Sequence, residues 1–171
     1  MTVNHFNSLD FVDIIPLLFL NFVGGNLLLF LRFVDIKSFL ILTFVDSNLV
    51  LFLRFFGNNH LLFLRFVDNN PLLFLRFDDS NPLLFPRIFG CNPFLFFRYF
   101  DCCSLLFIRF FGGNPLLFLI FVDFKSLLFL SFVDTNLLLF PKFVGSNLLL
   151  MFRFLDSNPL LFLRFVYNNP L

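Results

Sequence analysis

The sequence predicts an all-β chain of short strands in a tandem array. Three observations predict it. Phenylalanine or a close substitute falls on every multiple of eleven from Phe11 to Phe165, fifteen copies without insertion or deletion. Each copy varies one phrase, PLLFLRFVDNN, in which about seven mostly apolar residues precede about four turn formers. The apolar run is short, rich in Phe and bounded by Asn, Asp, Gly and Pro, which is how strands are punctuated. A fixed period of this kind marks a repeat architecture before any residue is read singly.

The organisation follows from that register. Residues 1–10 read as an irregular lead-in and 11–171 as a single array of 11-residue repeats. No secretory signal is expected, because the opening residues carry Asp10 and Asp13 and no Lys or Arg. The longest charge-free run, 14–31, is long enough to span a bilayer, but Pro16, Asn21 and Gly24-Gly25-Asn26 interrupt it. The chain is 59% hydrophobic and only 13% charged, and it lacks Ala, Glu, Gln and Trp altogether. That bias suits amplification of one short coding word. A net charge of +1 provides no field to steer nucleic acid or an acidic partner.

Within one copy, Pro71 to Asn81, strand geometry puts Leu73, Leu75 and Phe77 on one face. Leu72, Phe74 and Arg76 share the other. The first of these faces is apolar in nearly every copy, and its first column is Leu in all fourteen copies that reach it, from Leu18 to Leu161. The second set carries a basic column: Arg32, Arg54, Arg65, Arg76, Arg87, Arg98, Arg109, Lys142, Arg153 and Arg164. Asp79-Ser80-Asn81 is the turn, and Pro82 opens the next copy. A short-helix reading competes: Asn81-Pro82 suits an N-cap and first turn, and Gly90 or Gly145 a C-cap. The run shows no 3.6-residue face, however, and the Pro-Asn punctuation forbids a continuous helix.

Two strand assemblies are open. An antiparallel meander joins neighbours by four-residue turns and sets Arg opposite Phe. A parallel solenoid stacks equivalent columns, giving an Asn ladder (Asn48, Asn59, Asn70, Asn81, Asn92) but also Arg on Arg. One repeat is short for a closed coil, so two repeats per coil is the expected solenoid. Cys91 and Cys102 distinguish one further case: if each repeat were one rung, their Cα atoms would fall within disulfide range.

The spacing Leu61, Leu64, Phe66, Asn69 resembles the strand segment of leucine-rich repeats, LxxLxLxxN. That resemblance implies a solenoid and a protein-binding module, with alternate copies serving as the return segment. It carries over no ligand surface.

Chemistry is sparse. Three cysteines, Cys91, Cys102 and Cys103, form no CxxC pair and lie far in sequence from His5 and His60, so no metal site is expected. Gly24-Gly25 and Gly112-Gly113 lack the phosphate-loop pattern and read as turn variants. No catalytic residue, cofactor site or small-molecule ligand is predicted. The Arg column could meet phosphates and Phe could stack on bases, but the Asp residues that follow many Arg argue for a neutralised surface.

Substitutions between copies are mostly one-nucleotide steps, and several look chemically radical. Asp gives way to Gly or Tyr, Asp78 enters an apolar column, and Pro86 and Pro141 enter mid-strand. The expected function is therefore non-enzymatic: a strongly apolar repeat protein that self-associates or lies against membrane lipid. Two alternatives stand beside it. One is an unselected, possibly antisense, open frame; the other is the leucine-rich-like binding module.

Overall fold

The computed structural model describes the chain except residues 1–3, 13–16, 35–36, 46–47, 58, 68–69, 91, 101–102, 123–124, 146 and 167–171, and the side chains of 4–7, 11–12, 126 and 148. Strands alternate between two parallel sheets. The first sheet holds β1 (Asn4–Val12), β3 (Asn26–Val34), β5 (Asn48–Phe56), β7 (Leu72–Asp78), β9 (Phe94–Phe100), β11 (Leu116–Val122), β13 (Asn136–Val144), β15 (Asn158–Leu161) and β16 (Arg164–Val166). The second holds β2 (Leu17–Val23), β4 (Ser38–Val45), β6 (Asn59–Val67), β8 (Asn81–Phe89), β10 (Cys103–Phe111), β12 (Lys125–Val133) and β14 (Asn147–Leu155). Because β15 and β16 both pair with β13, they make one rung.

This is a parallel β-solenoid. Each 11-residue copy is half a coil, and strands pair with the copy 22 residues away, as in Leu51↔Leu73 and Phe55↔Phe77. Of the two assemblies open to the sequence, the solenoid with two repeats per coil is the one formed. The physical reason lies in the faces. Leu73, Leu75 and Phe77 point inward and are fully buried, while Leu72, Phe74 and Arg76 point outward. Closing every second copy sets the Leu-Leu-Phe face of one sheet against that of the other, and one contiguous core results. Parallel pairing then stacks Phe on Phe. Phe33, Phe55, Phe77, Tyr99, Phe121 and Phe143 form an inner stack with ring centroids 4.7 to 5.4 Å apart. That spacing matches the distance of about 4.8 Å between neighbouring strands. Arg does stack on Arg, but outward, where solvent screens the repulsion.

Neither alternative fold occurs among the described residues. There is no helix, and the return segment that a leucine-rich repeat needs is here a second strand of the same phrase. The first rung reaches back to Asn4, into the stretch that the Phe register left as a lead-in, because Asn4 already occupies the Asn column and pairs with Asn26. Cys91 and Cys102 lie outside the described residues, so the strand register decides the assembly in their place.

The radical substitutions turn out to match the backbone. The described members of the Asp/Gly column, Gly24, Gly57, Asp79, Gly90, Gly112, Asp134, Gly145 and Asp156, all have φ between 48° and 72°. Left-handed backbone of this kind admits Gly and, among L-residues, Asn and Asp most readily. At seven of these corners the same residue donates its N–H to the next coil, for example Asp79 to the Phe100 carbonyl at 3.0 Å, which carries the ladder around the bend. The prolines are also placed coherently. Phe162 donates back to the Leu139 carbonyl, so the following column, that of Leu75, Pro86 and Pro141, faces the next coil. Proline there loses bonds only on that side. Pairing of β8 with β10 skips Phe85 and Pro86, and the rung beyond Pro141 splits into β15 and β16.

Candidate functional site

Each sheet presents an outer face built from four columns: Leu, Phe, Arg and Val or Phe, in that order along the strand. On the first sheet Arg32, Arg54, Arg76 and Arg98 are successive register partners. Beside them Phe30, Phe52 and Phe74 stack at 4.5 and 4.7 Å. The two columns border a groove of about 470 Å3, with Asp10 at its first rung. A matching groove of about 580 Å3 on the second sheet is lined by Phe63, Phe85 and Phe107 and by Arg65, Arg87 and Arg109. The basic column of the sequence is thus two ladders, one per sheet, on an otherwise apolar surface.

The predicted Arg–Asp neutralisation takes a different form. The Asp column sits at the corners, and among the described residues the ion pairs run to Asp78 instead. Its carboxylate accepts from Arg76 Nε at 2.7 Å and lies 3.8 Å from Arg54 Nη2. Asp78 stands in the outer Val/Phe column, two residues after Arg76, where its buried side chain meets two half-exposed guanidinium groups. Asp78→Val should therefore change stability by no more than about 1 kcal/mol, since both arginines can turn to water. Arg76→Leu should cost about 1–3 kcal/mol, because it takes the closer donor from a buried carboxylate. Guanidinium unfolding of both variants checks this; equal losses would contradict it.

Asn forms ladders as expected, but in steps of 22 residues. Asn48 donates to Asn26 at 3.0 Å, and Asn158, Asn136, Asn114 and Asn92 form a continuous run. They line the corner that leads into the first sheet. Gly24-Gly25 and Gly112-Gly113 are turn residues, all at positive φ.

The sequence offers His60 only as a metal ligand. The structure buries it on the inner face of β6. Its Nδ1 accepts from the Ser38 hydroxyl at 2.8 Å, and its Nε2–H donates to the Gly57 carbonyl at 2.7 Å. Burial favours the neutral ring and pushes its pKa down to about 4, although the bond to the Gly57 carbonyl acts in the opposite direction. The unfolded chain takes up the proton first, near the usual 6.5. Stability from this group is hence full above that value and declines as pH falls toward 4. Between pH 7 and pH 5 the wild-type chain should lose about 2 kcal/mol. His60→Leu should abolish that slope; an unchanged slope by denaturant titration would refute the assignment. Cys103 is exposed, and no cluster of three His, Cys, Asp or Glu exists among the described residues.

In comparisons with known proteins, no family model, no curated protein and no solved structure matches this chain.

Proposed function

We propose that the chain is a non-enzymatic structural protein that associates with copies of itself through its apolar outer faces. One observation carries this reading. In the middle of the array, where the core is complete, Phe56, Phe63, Leu72, Leu83 and Phe100 remain exposed on the outside. With the Phe and Val columns beside them they form apolar bands interrupted by the Arg ladders and, between Phe56 and Phe100, by Asp78, and bands of that extent are rare on soluble monomers. A repeat of one phrase also brings few unlike groups together, which is what catalysis needs.

Sedimentation of the refolded chain at micromolar concentration tests the reading. Association is expected, and Leu72→Lys with Leu83→Lys should weaken it by placing charge in both bands. A monodisperse wild-type monomer that floats only with lipid vesicles would replace this reading with membrane-surface binding.

A further inference from the structure

We infer that the groove on the second sheet binds a single-chain anionic amphiphile, a long-chain fatty acid, with its carboxylate on Arg87 and Arg109 and its chain along Phe107, Phe85 and Phe63. The arginine row decides the charge. Thr43, Arg65, Arg87, Arg109 and Ser131 are successive register partners, so three guanidinium groups stand side by side between two hydroxyl residues. All three arginines are exposed. No described acid lines the groove, and among the described residues neither Arg87 nor Arg109 makes an ion pair. The corners that follow them, three residues on, are Gly90 and Gly112, whereas Arg76 is followed by Asp79.

The first sheet shows how such a row holds a carboxylate. Asp78 Oδ2 accepts from Arg76 Nε at 2.7 Å and lies 3.8 Å from Nη2 of Arg54, one rung away. On the second sheet the residue that stands to Arg65 as Asp78 does to Arg54 is Phe89, and the Arg65 guanidinium lies 5.9 Å from that ring's centroid. Phe111 stands in the same way to Arg87 and stacks on Phe89 at 4.9 Å. The second sheet thus has the arginines of the first without its internal acid. Guanidinium groups one rung apart repel, and an anion shared between two of them relieves this while accepting charge-assisted bonds.

The apolar wall decides the rest of the ligand. Phe63, Phe85 and Phe107 stack face to face at 5.0 and 5.4 Å, so ring edges and arginine stems border the groove rather than open ring faces. Such a wall gives a flat base nothing to stack on and suits an alkyl chain lying along the axis. The groove crosses four strands, β4, β6, β8 and β10, a span of about 14 Å. Its volume of about 580 Å3 lies within the usual range of small-molecule sites. Thr43 takes the place of arginine on the β4 rung, so the carboxylate sits toward β10 and the chain runs toward Ile41.

Equilibrium dialysis of the refolded chain against radiolabelled dodecanoate, kept below its micelle concentration, tests the site; its extended chain is of about the groove's length. About one dodecanoate per chain is expected, with uncharged dodecanol binding about tenfold more weakly. Arg87→Gln with Arg109→Gln should also weaken dodecanoate binding about tenfold. Phe111→Asp should do the same, by placing an acid two residues after Arg109 as Asp78 stands two after Arg76. Guanidinium midpoints confirm that these variants fold. Dodecanol that binds as tightly as dodecanoate, or a double variant that binds as the wild type does, overturns the proposal.

Asp78→Val tests the same chemistry by gain. It frees Arg54 and Arg76 on the first sheet, whose groove has the same two walls and carries Asp10 only at its first rung. The stoichiometry should rise from about one dodecanoate per chain to about two. A stoichiometry that stays at one counts against the site. Retention by phosphatidylglycerol vesicles with no uptake of free dodecanoate would overturn it as well, and would assign the arginine row to a membrane surface.

Discussion

Replacing Phe77 by alanine should destabilise the solenoid by about 3–5 kcal/mol, whereas Phe165→Ala should cost about 1 kcal/mol or less. Both residues occupy the same column. Phe77 is fully buried between Phe55, 4.7 Å away, and Tyr99, 5.0 Å away. Among the described residues Phe165 stacks on Phe143 alone, and it is 49% exposed. A solenoid rung touches only its neighbours, so the loss at Phe77 removes two stacking contacts and opens a cavity in the core. Guanidinium midpoints for Phe33, Phe77, Phe121 and Phe165 variants should fall and rise again along the axis. Equal losses throughout would mean that the rungs do not stack in this order.

The second large effect concerns the corners. Gly112→Val should cost about 2 kcal/mol or more, while Gly112→Asp should cost well under that. Space does not decide the outcome: a Cβ on Gly112 would approach nothing closer than Gly90 Cα at 3.9 Å. The backbone decides it. Gly112 has φ 72°, and Asp79, Asp134 and Asp156 already hold the same corner at 48–52°. A β-branched residue is strained at such φ, whereas aspartate tolerates it. The reciprocal change, Asp134→Gly, should leave stability within about 1 kcal/mol. A valine variant as stable as the aspartate variant would show that these corners are not left-handed.

The same corner shows what the sequence conceals. Read alone, Asp exchanging with Gly is a change from a charge to nothing. Once φ is known, the described members of the column are the two residue types that such a backbone accepts. Asp78 is similar: an acid in an apolar column looks like decay until Arg54 and Arg76 are placed beside it on the outer face. The corner's φ is not visible in the residue types, and Arg54 meets Asp78 only because strands pair across coils, although Arg76, two residues before Asp78, shares its strand face by alternation alone.

Much of the fold was nonetheless legible. The 11-residue period, the Leu-Leu-Phe face and the turn residues follow from side-chain alternation and turn chemistry, which are local, whereas the Asn column becomes a ladder only once strands stack in parallel. The outer Phe and Arg columns were visible for the same reason. The sequence by itself therefore determined that the chain is a strand repeat with one face for a core. Only the tertiary structure decided that the strands run parallel, that alternate copies form two sheets, and that the basic column divides into two ladders. Those choices turn on long-range pairing. A repeat matches every other copy of itself equally well, and closure of two apolar faces around one core selects among the matches.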